Sequence, residues 1–171
     1  MTVLREDQFD QFLAKGLARM NGLLIHGDDT SAAESFAARI AREVSGADGE
    51  APVRLDGSSL SGNGGRLDEE FRSISLLGGR RAIIVTGATE LGLKAISPLL
   101  QNSSLGNFVV ITSGSLTKSS KLRDAVEKSD RFAALALYEA KAEDLARRVQ
   151  GIWAADGLVA RPEALERFFE L

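Results

Sequence analysis

The chain has 171 residues, room for one ordinary domain and a small remainder, and its 44% hydrophobic and 26% charged residues allow a sizeable core. Its 24 acidic and 21 basic residues leave a formal charge of −3, the opposite bias to that of a basic nucleic-acid-binding domain. No cysteine and a single histidine exclude disulfide scaffolds, thiolate metal sites, cysteine nucleophiles and histidine metal clusters.

No apolar run approaches the roughly 18 residues of a membrane span. The N-terminus, MTVLREDQFDQFL, is acidic and amphipathic and carries no secretory signal. The expectation is a soluble, cytoplasmic protein with no membrane partner.

Phe9, Phe12, Leu13 and Leu17 recur at helical spacing after Asp7, a candidate N-cap. Gly22 to His26 (GLLIH) is a short apolar run ended by Gly27-Asp28-Asp29, which fits a buried strand. Asp29 or Thr30 can cap the next helix, whose face is Ala33, Phe36, Ala37, Ile40, Ala41 and Val44. A Gly- and Ala-rich loop leads to a strand at Val53–Leu55, and Gly57–Gly65 (GSSLSGNGG) reads as a flexible loop. Leu67 to about Ile74 reads as a short helix, Ala82–Thr86 (AIIVT) as a buried strand, and Leu91–Leu100 as a helix. Phe108–Thr112 (FVVIT) is a strand, Lys118–Lys128 a helix and Phe132–Leu137 a last strand. Strands alternating with helices predict a parallel sheet of about five strands with helices on both faces.

After Tyr138 the pattern changes to two helices, Ala142–Ala155 and Pro162–Phe169, around Asp156-Gly157-Leu158. The expectation is that residues 140–171 begin a second, helical domain, cut short on an apolar face that holds Leu165, Phe168 and Phe169. Trp153 belongs with Leu145, Val149 and Ile152 on a helix face.

In open parallel sheets, ligands bind at the carboxyl ends of strands, often in the loop after the first. A phosphate loop there needs G-x-x-x-x-G-K-[ST]: glycines admit backbone amides to the phosphates, lysine neutralises them and the hydroxyl holds magnesium. Gly27 is in place, but Ala32 stands for the second glycine, Ala33 for the lysine and Glu34 for the hydroxyl. Asp28, Asp29 and Glu34 would repel a triphosphate. The metal-holding acid is missing too, since Thr86-Gly87-Ala88 and Thr112-Ser113-Gly114 follow the later strands. Glu90 lies beyond the turn and reads as a first-turn carboxylate. The outline is that of a nucleotide-binding fold with an empty socket, which predicts no cofactor, no metal and no catalytic residues.

His26 has no nucleophile or orienting partner nearby in sequence and reads as structural or solvent-facing. Asp28-Asp29 suits a magnesium pair of a phosphorelay receiver, but the phospho-acceptor aspartate is missing. Thr117 to Arg131 holds five basic and three acidic residues, either a solvated helix face or a contact for an acidic partner or phosphate. In the stretch from Arg72 to Arg81 (RSISLLGGRR), Leu76 and Leu77 precede a double glycine with arginines on both sides. Two readings stay open: a helix end tucking its leucines under the sheet, or an exposed apolar tip ringed by arginines that anchors in a partner's pocket.

LLIHGDD, LDGSSL, SISLLGGRRAIIV and LTKSSKLRDAVEK, in that order, resemble the δ subunit of the bacterial DNA polymerase III clamp loader. The resemblance runs from about Leu23 to the C-terminus and covers the N-terminal half of that family. It implies an AAA+-like, P-loop-NTPase-type domain over residues 1–139 without a functional phosphate loop. Residues 140–171 would begin the lid domain, and the collar domain would be absent. It implies a non-catalytic replication subunit that binds the β sliding clamp and helps open the ring, while other subunits hydrolyse ATP. The implied partners are the clamp, the δ′ and γ/τ subunits, and primer-template DNA only through the complex. In the family, a hydrophobic pair ending the short helix before the central strand enters the clamp's peptide pocket; the matching residues are Leu76 and Leu77, after Ser75. The family pair is often leucine–phenylalanine, so Leu77 departs from it and buries less area. Arg72, Arg80 and Arg81 are added as rim contacts on charge alone. The alternatives carried beside this reading are a deviant P-loop-like kinase or ATPase, and a receiver-like module.

Overall fold

The structure, a computed structural model, describes residues 3–46, 49–62, 64–75 and 78–137. Four continuous apolar runs form the middle of one sheet: β2 (Gly22–Gly27), β4 (Ala82–Thr86), β5 (Phe108–Ser113) and β6 (Phe132–Leu137). β3 (Val53–Asp56) and β1 (Val3–Leu4) close its two edges. The order is β1-β6-β2-β5-β4-β3, and every neighbouring pair is parallel. The sheet therefore has six strands where the sequence predicts five. The additional one is the two-residue β1, whose Val3 and Leu4 lie opposite Ala134 and Leu135.

The middle strands lack alternation because both faces are covered. On one face Leu24, Ile83, Val85, Val109 and Ile111 pack with Leu67 and Phe71 of α3 (Gly64–Arg72), Ile96 and Leu99 of α4 (Leu93–Leu100), and Leu122 and Val126 of α5 (Lys121–Lys128). On the other, Leu23, Ile25, Ile84, Val110 and Leu135 meet Phe9 and Phe12 of α1 (Phe9–Lys15) and Ala33, Ala37 and Ile40 of α2 (Thr30–Ser45). Successive strand residues thus serve opposite cores, as the pleat requires.

Three further expectations change, the first being that α5 starts at Lys121 and not at Lys118. Gly57–Ser61 is a 3-10 turn rather than a flexible loop: the Asp56 carboxylate accepts from Ser58 N at 2.8 Å, and Leu60 is buried in the α3–α5 core. α3 already starts at Gly64 and stops at Arg72, two residues before the expected end. The first compact unit of the chain ends at Leu137. The helices expected beyond Tyr138, with Trp153, Phe168 and Phe169, lie outside the described residues, as do Leu76 and Leu77. No helix among the described residues is long and apolar enough to cross a membrane.

Candidate functional site

All strands run in one direction, so the sheet has two functional ends: the loop after β2 lies at the carboxyl end and the loop before β4 at the amino end.

At the carboxyl end, the position of a phosphate loop is filled from within. The Asp29 carboxylate accepts from Ala32 N at 2.8 Å and caps α2. This places a fixed negative charge on the amide donors that would otherwise face a phosphate. Ala33, in the lysine position, is 6% exposed and packs in the α1–α2 core. Ala32 packs against the same core, and Glu34 is exposed. Gly27 is needed for packing: its φ is +147°, and a Cβ there would stand 1.5 Å from the Leu137 carbonyl oxygen.

His26 is 1% exposed, and its Nδ1 is buried with no hydrogen-bond partner. Burial, and then the charge of Arg123, hold its imidazole below the ordinary range, against a smaller opposing pull from Glu127. Glu90 caps α5, accepting from the Ser120 hydroxyl and from Leu122 N at 3.1 Å. The Ser113 hydroxyl, at the end of β5, donates to Ala88 O at 2.7 Å. Among the described residues no group of three His, Cys, Asp or Glu side chains converges on a metal position. The basic stretch is divided: Lys118 and Lys121 are exposed, whereas Arg123 pairs with Glu127 at 2.7 Å.

At the amino end, a polar clip holds the chain on both sides of residues 76–77. Ser75, 8% exposed, donates its hydroxyl to Glu50 Oε1 at 2.8 Å. Arg81 donates to Glu50 Oε2 at 3.1 Å, to Glu70 Oε2 at 2.6 Å and to the Ser73 hydroxyl at 3.1 Å. Asn107, 4% exposed, donates to Glu70 O at 2.7 Å and Ser73 O at 3.0 Å, and accepts from Arg81 N at 2.9 Å. Arg80 is drawn inward: its guanidinium donates to the carbonyls of Gly106 (2.6 Å), Leu17 (2.6 Å) and Met20 (2.8 Å), and it lies over the Phe108 ring.

Arg80 and Arg81 are therefore not free rim cations, the role expected of them on charge; each neutralises or satisfies groups inside the chain. Arg72 remains outward, its side chain 62% exposed, in an i,i+4 pair with Asp68 at 2.9 Å. Gly78 and Gly79, at φ +79° and +75°, supply the left-handed backbone that returns the chain toward β4.

Ile74, 92% exposed, is a residue that sequence reasoning left unused. It stands three residues beyond buried Phe71, but the helix ends at Arg72 and its periodicity no longer applies. Glu50 and Asn107 were missed because they reach the clip from loops 25 and 34 residues away. A lone Glu after a glycine and a lone Asn before a strand carry no local signal.

Neither a family model nor a curated protein sequence matches the chain. Solved structures match by fold. The Bacillus subtilis DNA clamp loader delta protein has a TM-score of 0.62 and 15% identity, covering 94% of this chain and 50% of its own. A DNA polymerase III gamma subunit-related protein of Thermotoga maritima has a TM-score of 0.56 and 13% identity, covering 87% of this chain and 52% of its own. A Thermotoga maritima RuvB variant has a TM-score of 0.53 and 12% identity, with 94% and 53% covered. The chain spans about half the length of these proteins. Its fold, a parallel sheet flanked by helices, is like that of these proteins.

Proposed function

We propose that this chain is a non-catalytic, δ-type part of a clamp loader, which docks on the β sliding clamp through Leu76 and Leu77 and helps open the ring. The observation that carries the reading is the clip at the amino end of the sheet. Ser75 on one side and Arg80 and Arg81 on the other are anchored by Glu50, Glu70 and main-chain carbonyls. A docking segment held at both ends loses little freedom on binding, which is what a short hydrophobic anchor needs. The fold likeness to a clamp loader delta protein supports the same reading. The Asp29 carboxylate on the α2 terminus supports the absence of ATP hydrolysis.

In this reading Leu76 and Leu77 fill the apolar pocket of the clamp, Ser75 fixes their approach, and Arg72 at the rim steers encounter with an acidic partner. Residues 140–171 begin a lid domain. The further partners in this reading are the δ′ and γ/τ subunits, and primer-template DNA through the complex.

The test is a titration against the sliding clamp of the same organism, with Leu76→Ala/Leu77→Ala as control. The expected result is binding that the double variant loses while its melting temperature stays within ~2 °C of the parent. If the pair is core, the double change instead destabilises the fold by ~2–5 kcal/mol per leucine. Saturable micromolar ATP binding would overturn the non-catalytic reading.

A further inference from the structure

The observations that lead furthest beyond the clamp-docking segment lie at the β3 edge of the sheet. α2 packs over β2, β5 and β4, and β3 is the last strand of the order. Leu55 and Val53 turn to the α3–α5 core, so on the α2 face β3 presents Arg54. A groove of about 310 Å³ opens there, with Ile84 of β4 as floor, Ala38 and Ala41 of α2 on one wall and Pro52 and Arg54 on the other.

Three features give this groove a chemistry. Arg42 and Arg54 line it, and neither guanidinium has an ion-pair or hydrogen-bond partner among the described residues. The hydroxyl of Ser45, another lining residue, is buried with no hydrogen-bond partner. The acidic residue among the described lining, Glu50, is already held by Arg81 and Ser75. Among its described lining residues the groove is thus apolar at its base and cationic at its rim. Its neighbour, β3, has an outer edge that no strand of the sheet covers.

We infer that this groove receives an extended peptide segment of a partner protein, with apolar side chains over Ile84 and carboxylates at Arg42 and Arg54. Strand addition at β3 supplies main-chain hydrogen bonds, and alternation along the added strand brings every second side chain to the groove. A bare anion fits less well, because the carbonyl end of α2 at Gly46 also faces the groove and carries partial negative charge. A peptide brings N–H donors for those carbonyls together with its carboxylates. The inference does not rest on the clamp-docking reading, since Leu76 and Leu77 take no part in it.

The test selects phage-displayed random twelve-residue peptides (about the length of two strands) on the 171-residue chain. The expected result is enrichment of sequences that combine Asp or Glu with apolar residues. Synthetic versions should bind the Arg42→Glu/Arg54→Glu variant at least tenfold more weakly and the Leu76→Ala/Leu77→Ala variant unchanged. They should also shift the backbone amide resonances of Ser45 and Arg54. Should the charge-reversed variant melt early, Arg42→Gln/Arg54→Gln serves in its place and should show the same loss. The inference is overturned by failure to enrich, by peptides that bind the arginine variants at full strength, or by binding lost only in the leucine variant. Inorganic phosphate that reproduces the same resonance shifts would assign the site to a free anion and overturn the peptide.

Discussion

Replacing Asn107 with alanine isolates the clip at the amino end of the sheet from everything else in the fold. The side chain is 4% exposed and joins three main-chain groups: the carbonyls of Glu70 and Ser73, and the amide of Arg81. Alanine opens little volume but strands all three in a region with restricted access to water. At about 1 kcal/mol net for each lost bond, the cost is ~3 kcal/mol. For a unit of this size each kcal/mol lowers Tm by roughly 4 °C, so the melt should fall by about 12 °C. Asn107→Asp is the sharper control, because it conserves shape and puts an oxygen where a donor faced two carbonyls. It should lose at least as much as alanine at neutral pH. It should then recover part of the loss as pH falls from neutrality toward about 4, the unfolded value, because a carboxyl that faces two carbonyls protonates earlier in the folded chain and donates again. The assay is thermal and urea unfolding of all three proteins, with the urea slope checked for constancy. An Asn107→Asp protein as stable as the parent would refute the hydrogen-bond account. A loss below ~1 kcal/mol in Asn107→Ala would do the same.

The other expectations concern the carboxyl end of the sheet. His26 is held below its unfolded value of about 6.5, so the unfolded chain binds the extra proton first. Its contribution is complete above that pH and is lost as pH falls from about 6.5 toward the folded value; in urea titrations between pH 7.5 and 5, His26→Leu should flatten the slope. Asp29→Ala removes the α2 cap and should cost about 1 kcal/mol by urea unfolding, without producing ATP binding by calorimetry. Gly27→Ala meets the Leu137 carbonyl at a φ that L-residues rarely adopt, so β2 and β6 must part. Its expected outcome is loss of the cooperative melt, and a normal melt would show that the β2–β6 end relaxes at little cost.

The middle of the sheet was legible because its strands are buried on both faces. Runs such as AIIVT and FVVIT have no polar alternation to blur them, and Gly or Asn punctuates their ends. β1 was not legible: two residues carry no period, and their partners Ala134 and Leu135 lie at the other end of the unit. The turn at Gly57–Ser61 was hidden by its composition, since glycine and serine signal a loop. It takes the Asp56 cap and the burial of Leu60 to wind it.

The candidate site divides the same way. That the phosphate-loop signature is missing is read from the sequence alone, because Ala32, Ala33 and Glu34 stand where the second glycine, the lysine and the hydroxyl would be. The parallel sheet also followed from local pattern, since apolar runs spaced by helices leave few other ways to cover both faces. The fate of each arginine did not. Arg72, Arg80 and Arg81 are equal as charges in the chain. Only the folded backbone puts three carbonyls against Arg80 and two carboxylates against Arg81, leaves Arg72 outward, and sets the guanidinium groups of Arg42 and Arg54 beside one groove without partners among the described residues. Charge is a property of a residue, whereas its availability depends on which distant groups the fold brings within hydrogen-bond reach.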